Sequence, residues 1–131
     1  MIMVDSSVWI DYFNGAITPE TNRLDELLKT EIIATGDLIY IEVLQGFRSN
    51  KDLATARELL DSLIFFEMLG KEIALKSAQN YRLLRQRGIT IRKTIDVMIG
   101  TFCAINDLTL LHSDKDFDPM EKHLNLKVDA T

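Results

Sequence analysis

Four short, mostly apolar runs recur along this chain, at residues 1–4, 32–35, 64–68 and 109–112. Each is too short to make a helix and apolar enough to be a strand buried on both faces. Between them lie stretches with helical spacing. Residues 8–13 predict a short helix, stopped by Asn14-Gly15 and capped at its start by Ser6 or Ser7. Thr18-Pro19-Glu20 offers a cap, a proline at the first helical position and an acid in the first turn. That helix should run to about Thr30, with Leu24, Leu27 and Leu28 as its apolar stripe. Further helices are expected at 38–47, 51–63 (Leu53, Ala56, Leu60 and Leu63 inward) and 71–87 (Ile73, Ser77, Tyr81 and Leu84 inward). Thr94 should cap the next, and a short helix should occupy 120–124. Residues 126–128 add a candidate edge strand. Buried strands alternating with helices imply an α/β fold, a parallel sheet of four to five strands with helices on both faces. At 131 residues the chain suits a single domain spanning 1–131.

Acids fall where such a sheet builds its sites. Ligands bind beyond the carboxyl ends of parallel strands, where the strand order reverses. Asp5 directly follows the first run, and Asp114 follows the fourth through His112 and Ser113. Glu42 lies just past the second run inside an apolar stretch, LIYIEVLQGF, and Asp96 starts the helix before the fourth. If the first and fourth strands are neighbours, all four face one edge of the sheet. Each acid alone also has an ordinary structural reading. Asp5 can cap a helix, Glu42 can lie on a solvent stripe with Gln45, Asp96 suits a helix N-terminus, and Asp114 and Asp116 suit a turn. The set carries more weight than any member. Clustered carboxylates raise each other's pKa and destabilise the fold unless a cation compensates. Oxygen donors without Cys or His favour Mg²⁺ or Mn²⁺. Such a site can activate a water for in-line attack on a phosphodiester.

The net charge of −5 argues against nonspecific polyanion binding, but the charge is not evenly spread. Between Ile73 and Ile95 no acid occurs, while Lys76, Arg82, Arg85, Arg87, Arg92 and Lys93 do. This block can follow a phosphate backbone toward the carboxylates, or it can be a solvated helix face and loop. Trp9, Tyr12 and Phe13 fit core or dimer-interface packing better than base stacking. The single cysteine, Cys103, sits among apolar neighbours as buried filler, and it fits a reducing cytoplasm. His112 reads as structural and His123 as exposed. No run is long enough to span a membrane, and the N-terminus lacks the basic stretch of a secretory signal.

Taken together, the opening MIMVDSSVWIDYF, Glu42 in a helix, TIDVMIGTFCAIND and LLHSDKDFD resemble PIN-domain ribonucleases, and among them the VapC-type toxins of bacterial toxin–antitoxin pairs. The resemblance covers essentially the whole chain. It implies a Mg²⁺- or Mn²⁺-dependent endoribonuclease, a homodimer, and neutralisation by a VapB-like antitoxin. It also implies that Asp5, Glu42, Asp96 and Asp114 form the acidic quartet. Many members carry a hydroxyl residue two positions before the last of these acids. Here that position is His112, and Ser6 and Ser113 are the candidate substitutes. Asp114 should lie closest to Asp5, with Asp116 as a supporting acid or helix cap.

Other classes fit less well. An aspartyl-nucleophile phosphatase needs an acid two residues after the first, where this chain has Ser7. A receiver domain needs its phosphoacceptor after the third strand, where Leu69-Gly70 stands. Neither glycine-rich nucleotide signature occurs. A non-catalytic partner-binding module of the same fold stays open.

Overall fold

The computed structural model describes residues 1–130. Five strands form one sheet: β1 (Ile2–Val4), β2 (Ile33–Gly36), β3 (Ile64–Phe66), β4 (Thr109–Leu111) and β5 (Lys127–Val128), in the order β3-β2-β1-β4-β5. Every pairing is parallel, and Val4 of β1 stands beside Leu111 of β4. The expected sheet is therefore present, with the fifth strand included.

Among the described residues seven α-helices surround it: α1 (Ser6–Phe13), α2 (Pro19–Thr30), α3 (Asp37–Leu44), α4 (Asn50–Asp61), α5 (Lys71–Gln86), α6 (Thr94–Ile105) and α7 (Asp118–Leu124). The chain moves outward from β1 through β2 to β3, then crosses back to β4 and on to β5. Parallel crossovers are right-handed, so this reversal sends the two sets of helices to opposite faces. The point of reversal lies between β1 and β4, and open parallel sheets form their crevice at the carboxyl ends of such strands.

Local chemistry moves several boundaries. Asp5 caps α1 itself, its carboxylate accepting from the Ser7 amide, so neither serine is the cap. Thr18 and Thr21 form a reciprocal capping box at α2, as the threonine–proline start foretold. Lys93, not Thr94, is the N-cap residue of α6, and no side chain caps that helix. The helix before α4 stops at Leu44, and a 3-10 turn (Lys115–Phe117) precedes α7. Asp37 ties the start of α3 to the segment after β3: its Oδ1 accepts from the amides of Leu38 (2.8 Å) and Met68 (3.0 Å).

Met3, Val4, Leu110 and Leu111 of the central strands are fully buried with Trp9, Ile99 and Phe117. Full burial of one such side chain stabilises by about 1.5–3 kcal/mol. Trp9 stacks on Phe13 at 5.6 Å between ring centres, so this cluster is core rather than a base-stacking platform. Cys103 is buried, and burial pushes its thiol pKa up. Asn80 donates to Thr101 (3.0 Å), a buried link between α5 and α6. His123 is half-buried rather than exposed, 2.6 Å from Arg87. Among the described residues, no helix is long and apolar enough to cross a membrane.

Candidate metal centre

Asp5 leaves β1 at the crevice because the strand ends there and α1 begins with the next residue. Its Oδ2 accepts from the Ser7 amide (3.0 Å) and the Ser7 hydroxyl (2.6 Å). Its Oδ1 is buried with no hydrogen-bond partner. One oxygen caps the helix and the other is left over. The capping and the functional readings of Asp5 are thus compatible.

Glu42 enters from α3, whose Leu38, Ile39 and Val43 anchor it in the core. The Ser6 hydroxyl donates to Glu42 Oε1 at 3.0 Å, so Glu42 faces α1 and not an open solvent stripe.

Asp96 sits in the first turn of α6, only 2% exposed. Its Oδ2 is buried without a hydrogen bond, and the nearest cation, Lys93 Nζ, is 3.8 Å away. Asp114 caps the 3-10 turn, its Oδ1 accepting from the Asp116 amide at 2.9 Å. Arg92 reaches Asp116 through Nε (3.3 Å) and Asp114 through Nη2 (3.7 Å), while Lys93 Nζ stands 4.0 Å from Asp114 Oδ2. Asp96, Asp114 and Asp116 each offer an oxygen within 4.8 Å of the others, and among the described residues they are the one trio of potential ligands that does so. Asp5 and Glu42 stand outside that trio, but their charges reach it, because both raise the pKa of Asp96.

The electrostatics follow from burial. Desolvation is the largest cause lifting Asp5, Glu42 and Asp96. Asp96 is pushed up to about 7, with Lys93 opposing the rise and the other three acids of the quartet adding to it. A buried acceptor left without a partner costs about 1–3 kcal/mol. One such oxygen belongs to Asp96 of the trio and another to Asp5. A Mg²⁺ ion bound at about 2.0–2.1 Å needs ligand oxygens within roughly 4 Å of one another. The trio is close to that spread, and its donors are all hard carboxylate oxygens. The residues fit a small divalent cation.

The structure brings all four quartet acids to one crevice and adds Asp116 at ligand range. Ser6 supports Glu42 as a hydroxyl donor, whereas Ser113 contributes its backbone amide, which donates to Ser7 Oγ at 3.2 Å. His112 does not take a hydroxyl's place. Its Nδ1 accepts from the Asp114 amide (3.2 Å), and the ring packs on Phe117 at 4.9 Å. The sequence reading missed Ser7, the hydroxyl that holds Asp5 and ties α1 to the loop after β4. The Asp-x-Ser spacing was the available signal, since a cap carboxylate bonds two residues ahead. Of the basic block, Arg82, Arg85 and Arg87 are exposed on or just past α5, and Arg92 and Lys93 turn onto the acids.

A PIN domain family model matches residues 2–122. Ribonuclease VapC11 of Mycobacterium tuberculosis is 27% identical over 129 residues, 97% of this chain and 96% of its own length. A VapC ribonuclease of Mycobacterium bovis matches to the same extent. Among solved structures, VapBC2 from Rickettsia felis, bound to a DNA fragment from its promoter, has a TM-score of 0.77 at 18% identity and covers 98% of both chains. That likeness is one of fold. The family match runs from the first residue of β1 into α7, and this chain belongs to the PIN domain family.

Proposed function

We propose that the chain is a Mg²⁺- or Mn²⁺-dependent endoribonuclease of the VapC type, the toxin of a type II toxin–antitoxin pair. The observation that carries the reading is the convergence of Asp5, Glu42, Asp96, Asp114 and Asp116 at the β1–β4 crevice, with buried carboxylate oxygens lacking partners. The VapC ribonuclease relatives point the same way. Asp96 and Asp114 would hold the ion directly and Asp116 would support it through a water, with Asp5 and Glu42 closing the site behind them. When bound, the ion supplies the charge that makes water a competent nucleophile near neutral pH and offsets charge building on the phosphate. Ser7 and Ser6 fix the directions of Asp5 and Glu42, so these carboxylates are oriented before substrate arrives. We assign contact with an RNA backbone to the exposed Arg82, Arg85, Arg87, Arg92 and Lys93, with single-stranded or looped RNA the expected form. A VapB-like antitoxin and a second copy of the chain are the proposed partners. Exposed Ile10 on α1 and Ile41 on α3 are apolar surface consistent with such contacts.

Purified protein incubated with total RNA should make internal cuts that need Mg²⁺ or Mn²⁺ and stop with chelator. Asp96→Asn should abolish them. Intact RNA alongside cut DNA would overturn the substrate. No cleavage of either, with the antitoxin still bound, would favour a non-catalytic binding module.

A further inference from the structure

Lys93 stands where the proposed ion also needs to be. Its ammonium lies between Asp96 Oδ2 (3.8 Å) and Asp114 Oδ2 (4.0 Å), and these two acids belong to the trio at ligand range. Both distances exceed a good hydrogen bond of about 2.7–3.2 Å. Lys93 therefore serves the pair as a charge in the gap and leaves Asp96 Oδ2 without a hydrogen bond. Its backbone is fixed, because the Lys93 carbonyl accepts from the Asp96 amide at 3.2 Å at the mouth of α6. Its side chain is about half exposed, at 52%, so it can swing out to solvent without unpacking the core. With no hydrogen bond to either acid, the ammonium is held by charge alone.

We propose that Lys93 is a resident counter-cation that a divalent ion must displace, so the chain sets its own metal threshold through this side chain. The proposal rests on the metal-site reading above. In the metal-free protein Lys93 offsets part of the repulsion among the acids, including Glu42, which also feels its charge. When the ion enters, the ammonium yields the Asp96–Asp114 gap. A unit charge within about 5 Å of a divalent ion changes its affinity on the order of tenfold, even with water-like screening.

The test is Mn²⁺ titration calorimetry, with melting curves taken in chelator and in saturating Mn²⁺. It uses the full chain as wild type, Lys93→Met, Lys93→Arg and Lys29→Met. Lys29 is the charge control: it lies at the end of α2, which leads into the start of β2, away from the crevice. Lys93→Met should bind Mn²⁺ about tenfold more tightly, while Lys93→Arg and Lys29→Met stay near wild type. Lys93→Met should also melt lower than wild type in chelator and level with it in Mn²⁺. Equal or weaker Mn²⁺ binding by Lys93→Met, beside a wild type that binds, would overturn the proposal and leave the metal site standing. The same loss of melting temperature with and without Mn²⁺ would also overturn it, by making Lys93 structural. No binding by any of the four proteins would overturn the metal site and this proposal together.

Discussion

Asp5 and Glu42 are held by hydroxyl groups, whereas Asp96, Asp114 and Asp116 face cations. The two halves of one crevice thus solve the same electrostatic problem differently. A serine hydroxyl fixes the direction of a carboxylate without removing its charge. Burial then lifts the pKa of both acids on that side. On the other side, Lys93 and Arg92 supply charge from side chains that are 52% and 72% exposed. Because only the cation of each pair is exposed, these charges can be exchanged for another cation but not simply lost. The α1–α3 half is a fixed frame, and the α6–β4 half is the exchangeable part where a metal would enter.

The largest break in that contrast should come from the exchangeable half. Asp114→Asn is expected to reduce RNA cleavage to background and to remove Mn²⁺ binding with it. Asp116→Asn should cost about 10–100-fold in cleavage, the usual size of an outer-group effect, and extra Mn²⁺ should restore part of it. Arg92 approaches Asp116 (3.3 Å) more closely than Asp114 (3.7 Å), so Asp116 already has the nearer partner, which is why it is expected to matter less. If Asp116→Asn proves the more damaging in the same cleavage assay, the ligand and its supporter are the other way round.

A smaller effect should mark the fixed half. Ser7→Ala removes the 2.6 Å hydroxyl bond to Asp5 but keeps the helix cap, since the residue 7 amide remains. Cleavage should fall about tenfold, at the low end of an outer-group effect, with Mn²⁺ affinity falling in step. Unchanged activity in Ser7→Ala would show that Asp5 needs no orienting hydroxyl, and the contrast between the halves would collapse.

Most of the fold was legible because it rests on local signals. The apolar runs are strands, and Thr18-Pro19 and Asn14-Gly15 bound their helices as turn chemistry requires. The acids were legible as a set because strand ends and helix starts fix where side chains emerge. What the sequence hid were choices settled between distant segments. Arg92 and Lys93 read as part of a basic block, yet they fold back onto Asp96, Asp114 and Asp116, because their loop ends where α6 begins at the crevice. Thr94 read as the cap of α6, but the chain enters from an extended Lys93, whose ammonium has no acceptor to offer the first-turn amides. Asn80 was invisible as a buried group, since only packing of α5 on α6 reveals Thr101 as its partner.

The most direct test of a divalent-metal centre at the β1–β4 crevice is the melting temperature with and without Mn²⁺ at pH 5.5 and pH 8. Folding lifts the pKa of Asp96 from 3.8 to about 7. Between those values the folded protein holds a proton that the unfolded chain has lost, so metal-free stability falls as pH rises through that window. A bound cation favours the ionised acids and stabilises the fold by ligand linkage. The predicted result is a Mn²⁺-induced rise that is larger at pH 8 than at pH 5.5 and absent from the Asp5→Asn/Asp96→Asn double variant. No rise in the wild type, or an equal rise in the double variant, would contradict a metal centre at these acids.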